Sequence, residues 1–179
     1  MREQLINCML DKEWLCIYEG NNHDSFAFGK IICMDDRNIV IHRFAPSGKD
    51  DGLLMIEYNT IFRIETNNNY IKKMLKLISL DRYETYQALN NNNSSEKISC
   101  LTKLFSLAKQ ERRIVSIELL NSGITDITGQ IQYVSEDRLT IHQINEYGEP
   151  DGETICLCND ITQVSIGSET EKIIEKLIQ

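Results

Sequence analysis

The sequence predicts a mainly β protein with flanking helices, an α+β chain in which one unit of about eighty residues is written twice. Three observations carry that expectation. The string IHRFAPSGKDDG, Ile41 to Gly52, returns as IHQINEYGEPDG, Ile141 to Gly152. Setting residue i over residue i+100 needs no gap from Gly29 to Ile78 and gives 13 identities in 50 positions, where unrelated chains would give roughly three. Short segments rich in β-branched and aromatic residues recur between clusters of Asn, Asp, Gly and Ser, as strands between turns should.

A helix opens each unit. REQLINCML has Leu5, Ile6, Met9 and Leu10, and ISCLTKLFSLAKQ has Ile98, Leu101, Leu104, Phe105 and Ala108, both at the three-and-four spacing of an amphipathic helix. Strand candidates follow in matched pairs: WLCIYE and RIVSIELL, SFAFGKIICM and ITGQIQYV, NIVIHRF and RLTIHQI, LLMIEY and TICLCN, IFRIET and ITQVSI. Several carry apolar side chains on both faces, which suits a small, strongly curved barrel better than an open sheet with one wet face. SGKDDG and YGEPDG read as the loop returning the third strand into the fourth, with Gly and Asp-Gly making the same bend twice. YIKKMLKLIS and TEKIIEKLIQ close the units as helices, the first with a continuation through LDRYETYQAL to Leu89.

The domains expected are therefore residues 1–89 and 97–179, two small barrels in tandem, joined by a polar linker at 90–96. No stretch of about eighteen apolar residues is present, and MREQLINCMLDKEW is charged where a signal peptide would be apolar. A cytoplasmic protein with no membrane partner is expected. Six cysteines show no paired framework and read as reduced thiols. A formal net charge of −8 and a pI near 4.9 disfavour nucleic acid and anionic membrane as partners.

Gly29, Ile31, Asp35 and NIVI at 38–41, with Gly129, Ile131 and LTI at 139–141, resemble the first motif of the Sm-like family of small barrels, close to the SH3-like class. The resemblance implies a short helix and five bent strands, with the glycine relieving crowding where the second strand bends. It also implies where RNA would be met, by a cation and a glycine before the last strand. Here Glu57 and Tyr58, and Leu157 and Cys158, hold that place, so the RNA-contact motif is not retained.

Candidate binding residues are His42, Phe44 and Asp51 in the first unit and His142, Tyr147 and Asp151 in the second. The histidines match across the repeat, and histidine is the residue type suited to switching charge around neutral pH, so a pH-sensitive or metal-binding contact between units is weighed against a hydrogen bond to a loop carbonyl. Cys156 and Cys158 have Ile56 and Tyr58 as counterparts and read as packing residues. No GxxxxGK, HExxH or GxSxG stands in the chain, and no nucleophile and base assemble, so no enzyme, cofactor or metal is expected.

Two functions remain. The first is a noncatalytic protein-interaction, regulatory or adaptor module with a protein partner or self-association, a homodimer included. The alternative is an RNA-binding Sm-like protein with a relocated site, at Lys72, Lys73 and Lys76 or at Lys103, Lys109, Arg112 and Arg113.

Overall fold

Both halves build the same elements in the same order, and from the second strand onward their limits coincide residue for residue at an offset of one hundred. The computed structural model describes residues 1–20, 25–79 and 98–178. The first half comprises α1 (Arg2–Leu10), β1 (Leu15–Glu19), β2 (Ala27–Met34), β3 (Asn38–Phe44), β4 (Asp50–Glu57), a 3-10 turn at Tyr58–Thr60, β5 (Ile61–Thr66) and α2 (Asn69–Ile78). The second comprises α3 (Cys100–Gln110), β6 (Ile114–Leu119), β7 (Ile127–Val134), β8 (Arg138–Ile144), β9 (Pro150–Leu157), a 3-10 turn at Cys158–Asp160, β10 (Ile161–Ile166) and α4 (Glu169–Ile178). The expected continuation of α2 to Leu89 and the linker at 90–96 fall outside the described residues.

Local chemistry sets the helix starts. Asn68 accepts a hydrogen bond from the Ile71 backbone N–H at 2.8 Å and so caps α2. At the matching place Ser168 and Glu171 form a capping box, the buried Glu171 carboxylate accepting the Ser168 N–H at 2.6 Å. Gly29 and Gly129 meet the expectation of crowding: a Cβ at either would run into the carbonyl oxygen of His42 or His142 on the neighbouring strand. Just beyond, the pairing of β2 with β3 slips between Ile31 and Cys33, and that of β7 with β8 slips between Ile131 and Tyr133, so both pairs bend at the same place.

The sheet corrects the expectation of two separately closed barrels. All ten strands join in one open antiparallel sheet of order β5-β1-β2-β3-β4-β10-β6-β7-β8-β9. Each half keeps its five strands in the same sequence. Its fourth strand does not return to its own fifth; β4 instead pairs with β10, the fifth strand of the other half. Leu53, Leu54, Met55 and Ile56 of β4 are all buried, and so is the backbone edge beside them. Buried N–H and C=O groups require partners, and β10 supplies them.

Apolar packing follows this connection. One cluster lies within the first half beneath Leu5 and Cys8 of α1, and an aromatic group on the opposite face gathers Tyr18, Phe28 and Phe44 around Ile71 and Met74 of α2. The largest cluster crosses between halves, where Leu104, Phe105 and Ala108 of α3 join Val40, Leu53 and Met55 of the first half with Val115, Ile141 and Val164 of the second. Among the described residues no helix is long and apolar enough to cross a membrane.

Candidate interaction surface

The junction between halves pairs β4 with β10 and carries polar contacts at both ends; of its residues, Asp51, Gly52, Asn159 and Lys172 are ones the repeat matched. Val164 lies opposite Met55, Ser165 opposite Leu54, Ile166 opposite Leu53 and Gln163 opposite Ile56. At one end the Arg37 guanidinium donates to Glu57 Oε1 from Nε and Nη2 at 2.9 and 2.8 Å, and to Asn159 Oδ1 from Nη1 at 3.2 Å. At the other end the Glu169 N–H donates to Asp51 Oδ1 at 3.2 Å, and Lys172 Nζ donates to the Asp50 carbonyl at 3.1 Å. Asp51 is also ion-paired with Arg43 at 2.9 Å.

Gly52 lies between these groups. Sequence reasoning put it in a reversing loop, whereas β4 already begins at Asp50 and Gly52 is its third residue. Its φ is +71°, and a Cβ there would collide with the carbonyl oxygen of Ile166 and with Gly167. The glycine is thus required by the close approach of the other half.

A cavity of about 220 Å³ opens beside the same junction, lined by Glu19, Phe26, Arg43, Leu54 and Gln163. Burial pushes the Glu19 carboxyl up to about 7, and the neighbouring Glu118 adds to the rise, against the opposing pull of Arg43 and a hydrogen bond from Thr60. Sequence reasoning missed Glu19. The available signal was a break in the repeat, since the position one hundred residues on is Leu119.

The residues singled out from sequence divide cleanly. His42 is buried, its Nε2 lying 3.1 Å from Asp50 Oδ2 and its ring centroid 4.6 Å from that of Phe44. Burial raises the Asp50 carboxyl, but the hydrogen bonds from His42 and the Gly52 N–H, with the charge of Lys172, outweigh it and leave Asp50 below its ordinary value. His142 is half-buried, with Pro150 where the first half has Asp50. Four strands stand between β3 and β8, so the sheet does not bring the two histidines together. Phe44 is core, packed edge-on against Trp14 at 5.1 Å. Asp51 belongs to the junction, while Asp151 and Tyr147 are exposed.

Cys156 and Cys158 are buried in the large cluster as expected, although Cys158 lies in the turn after β9 rather than on the strand. Lys72, Lys73 and Lys76 are exposed on α2, whereas Arg113 is held by Glu175 at 2.9 Å.

The sheet ends in two open edges among the described residues, β5 and β9. Ile155 and Leu157 on β9 are 68% and 48% exposed, although their counterparts Met55 and Glu57 are buried. Charges, bulges and prolines usually blunt such an edge, and the half of β9 bearing these two residues has none of them. No family model, curated protein or solved structure matches the chain.

Proposed function

We propose that the chain is a noncatalytic protein-interaction module of regulatory or adaptor type, working in the cytoplasm, and that it recognises protein partners by strand addition at its open edges. The observation that carries this reading is the exposure of Ile155 and Leu157 on β9, an edge strand with no strand on its outer side among the described residues, where an incoming strand would satisfy backbone groups and cover apolar side chains at once. The acidic composition supports a partner with a basic surface. Kinship of each half with Sm-like barrels belongs to the same proposal and rests on the sequence motif of Gly29, Ile31, Asp35 and residues 38–41.

Recovery of a partner from native cytoplasm, with and without nuclease, tests the reading against RNA binding through the exposed lysines of α2. A protein retained by the native chain after nuclease, and lost from Ile155→Lys, supports strand addition. Loss on nuclease treatment, or retention by Ile155→Lys, sinks it.

A further inference from the structure

Cys33 and Cys100 lie 67 positions apart in the chain, yet their thiols are hydrogen-bonded to each other. Cys33 is on β2, just past the slip in its pairing with β3, and Cys100 is the first residue of α3. Both belong to the large apolar cluster that crosses between halves. The backbone holds them there. Asp35, two residues after Cys33, accepts the Cys100 N–H on Oδ2 at 2.7 Å, while its Oδ1 accepts the N–H groups of Arg37 and Asn38 at 2.8 and 2.7 Å. One carboxylate therefore ties the start of α3 to the turn that follows β2 and keeps the two sulfur atoms adjacent.

The pair is not part of the duplicated module. One hundred residues after Cys33 stands the exposed Tyr133, and Ser135 takes the place of Asp35. The two cysteines meet only because the helix that opens the second half covers the sheet of the first, so their contact belongs to the junction rather than to either copy.

Their chemistry is unequal. The hydrogen bond from Cys100 holds the Cys33 thiol below its ordinary value against burial, and Lys103, one turn into α3, adds to the fall while Asp35 opposes it. Cys100 is pushed up, first by the same hydrogen bond, then by burial and by the charge of Asp35, so it keeps its proton. Cys33 is also the more exposed of the two, at 7% against 1%. The other four thiols, of Cys8, Cys16, Cys156 and Cys158, are all pushed up chiefly by burial, which leaves them protonated and slow to react.

We infer that Cys33 and Cys100 are a reversible redox site, which a peroxide closes into a disulfide that clamps α3 of the second half onto the sheet of the first. The Cys33 thiolate attacks one oxygen of hydrogen peroxide, the O–O bond breaks, and Cys33 is left as a sulfenic acid; the departing hydroxide takes up the proton that Cys33 had released and becomes water. The Cys100 sulfur then attacks the Cys33 sulfur. The S–S bond forms, the S–O bond breaks, and the second hydroxide leaves as water with the Cys100 proton. Two thiols are oxidised by two electrons and one peroxide is reduced to two waters. A dithiol reverses the bond by exchange, as reversible disulfides in reducing compartments require. Neither cysteine lies on an open edge strand, so the site goes beyond the strand-addition reading and does not depend on it.

The bond closes a loop of about 67 residues, and removing that loop's freedom from the unfolded chain raises the folding constant by up to about a thousandfold. The test treats the folded full chain with an equimolar amount of hydrogen peroxide, alkylates the remaining thiols in urea, and reads the intact mass and the tryptic map. The expected product has lost two hydrogens and yields a peptide joining residues 31–37 to residues 98–103, which dithiothreitol splits. Its urea midpoint is higher than that of the reduced chain and returns on reduction. Cys100→Ser is expected to stop at the sulfenic acid on Cys33, trapped by dimedone, and Cys33→Ser to form neither product. Should a serine variant lose the native far-ultraviolet spectrum, the map of the native chain decides by itself.

A folded chain that loses no hydrogens, a bond between any other two cysteines, or a bond that forms only after urea has unfolded the chain overturns the site. An oxidised chain with an unraised urea midpoint overturns the clamp.

Discussion

Replacing Glu19 by Gln is expected to stabilise the protein at alkaline pH and to leave it unchanged in acid. The Glu19 carboxyl lies at about 7 in the folded chain against 4.5 in the unfolded one, because burial and Glu118 oppose its ionisation. A folded-state value above the unfolded one means that the folded state holds the proton more tightly. Stability from this group is then complete below about pH 4.5 and is lost as pH rises through 7. The interval from 4.5 to about 7 corresponds to about 3 kcal/mol, and partial solvent access to the side chain reduces that to about 2 kcal/mol. Glutamine keeps the shape and carries no charge, so it removes the penalty. Urea unfolding at pH 4, 5, 6, 7 and 8 measures the effect: the two proteins should coincide at pH 4, and E19Q should lead by about 2 kcal/mol at pH 8. Parallel pH profiles for both proteins would refute the placement of Glu19 beside Glu118 in a poorly hydrated cavity.

Three further outcomes are expected. Gly29→Ala and Gly129→Ala should each cost about 2–3 kcal/mol in chemical unfolding, because the added methyl group meets a backbone carbonyl that cannot turn aside; a loss under 0.5 kcal/mol in both would contradict the close approach. Arg37→Ala should cost about 2 kcal/mol or more, since it strands the buried Glu57 carboxylate, and Arg37→Ala with Glu57→Ala should recover part of the loss in a double-mutant cycle. Asp50, held below its ordinary value chiefly by His42 against the burial that raises it, contributes stability that is present above pH 3.8 and lost as pH falls through its folded value. Asp50→Asn should therefore flatten the acid limb of the stability profile, and an unchanged acid limb would contradict the His42 pairing.

Hydrophobic periodicity, turn residues and the hundred-residue repeat made the helices and strands legible, because these depend on neighbours a few places away in the chain. The start of β4 was read three residues late, since DDG looks like a turn until Gly52 is seen against Gly167. The site was legible in part. Asp51, Gly52 and Lys172 are matches of the repeat, but their common task is not visible in the sequence, because their counterparts Asp151, Gly152 and Lys72 face open solvent or an empty edge. Glu19 stands at the polar end of an apolar strand, where no local pattern sets it apart.

By itself the sequence determined that one β module with flanking helices occurs twice and which residues of each copy are apolar, and it marked the second strand of each copy, at its glycine, as the one that bends. Only the tertiary structure decided that β4 turns outward to β10, so that the copies share a sheet and leave a fourth and a fifth strand open at its ends. The physical reason is that the choice of strand partner is made by backbone hydrogen-bonding groups, which are the same in every residue but proline. Side chains bias that choice only through contacts between segments a hundred residues apart, and reading one local stretch at a time does not bring those segments together.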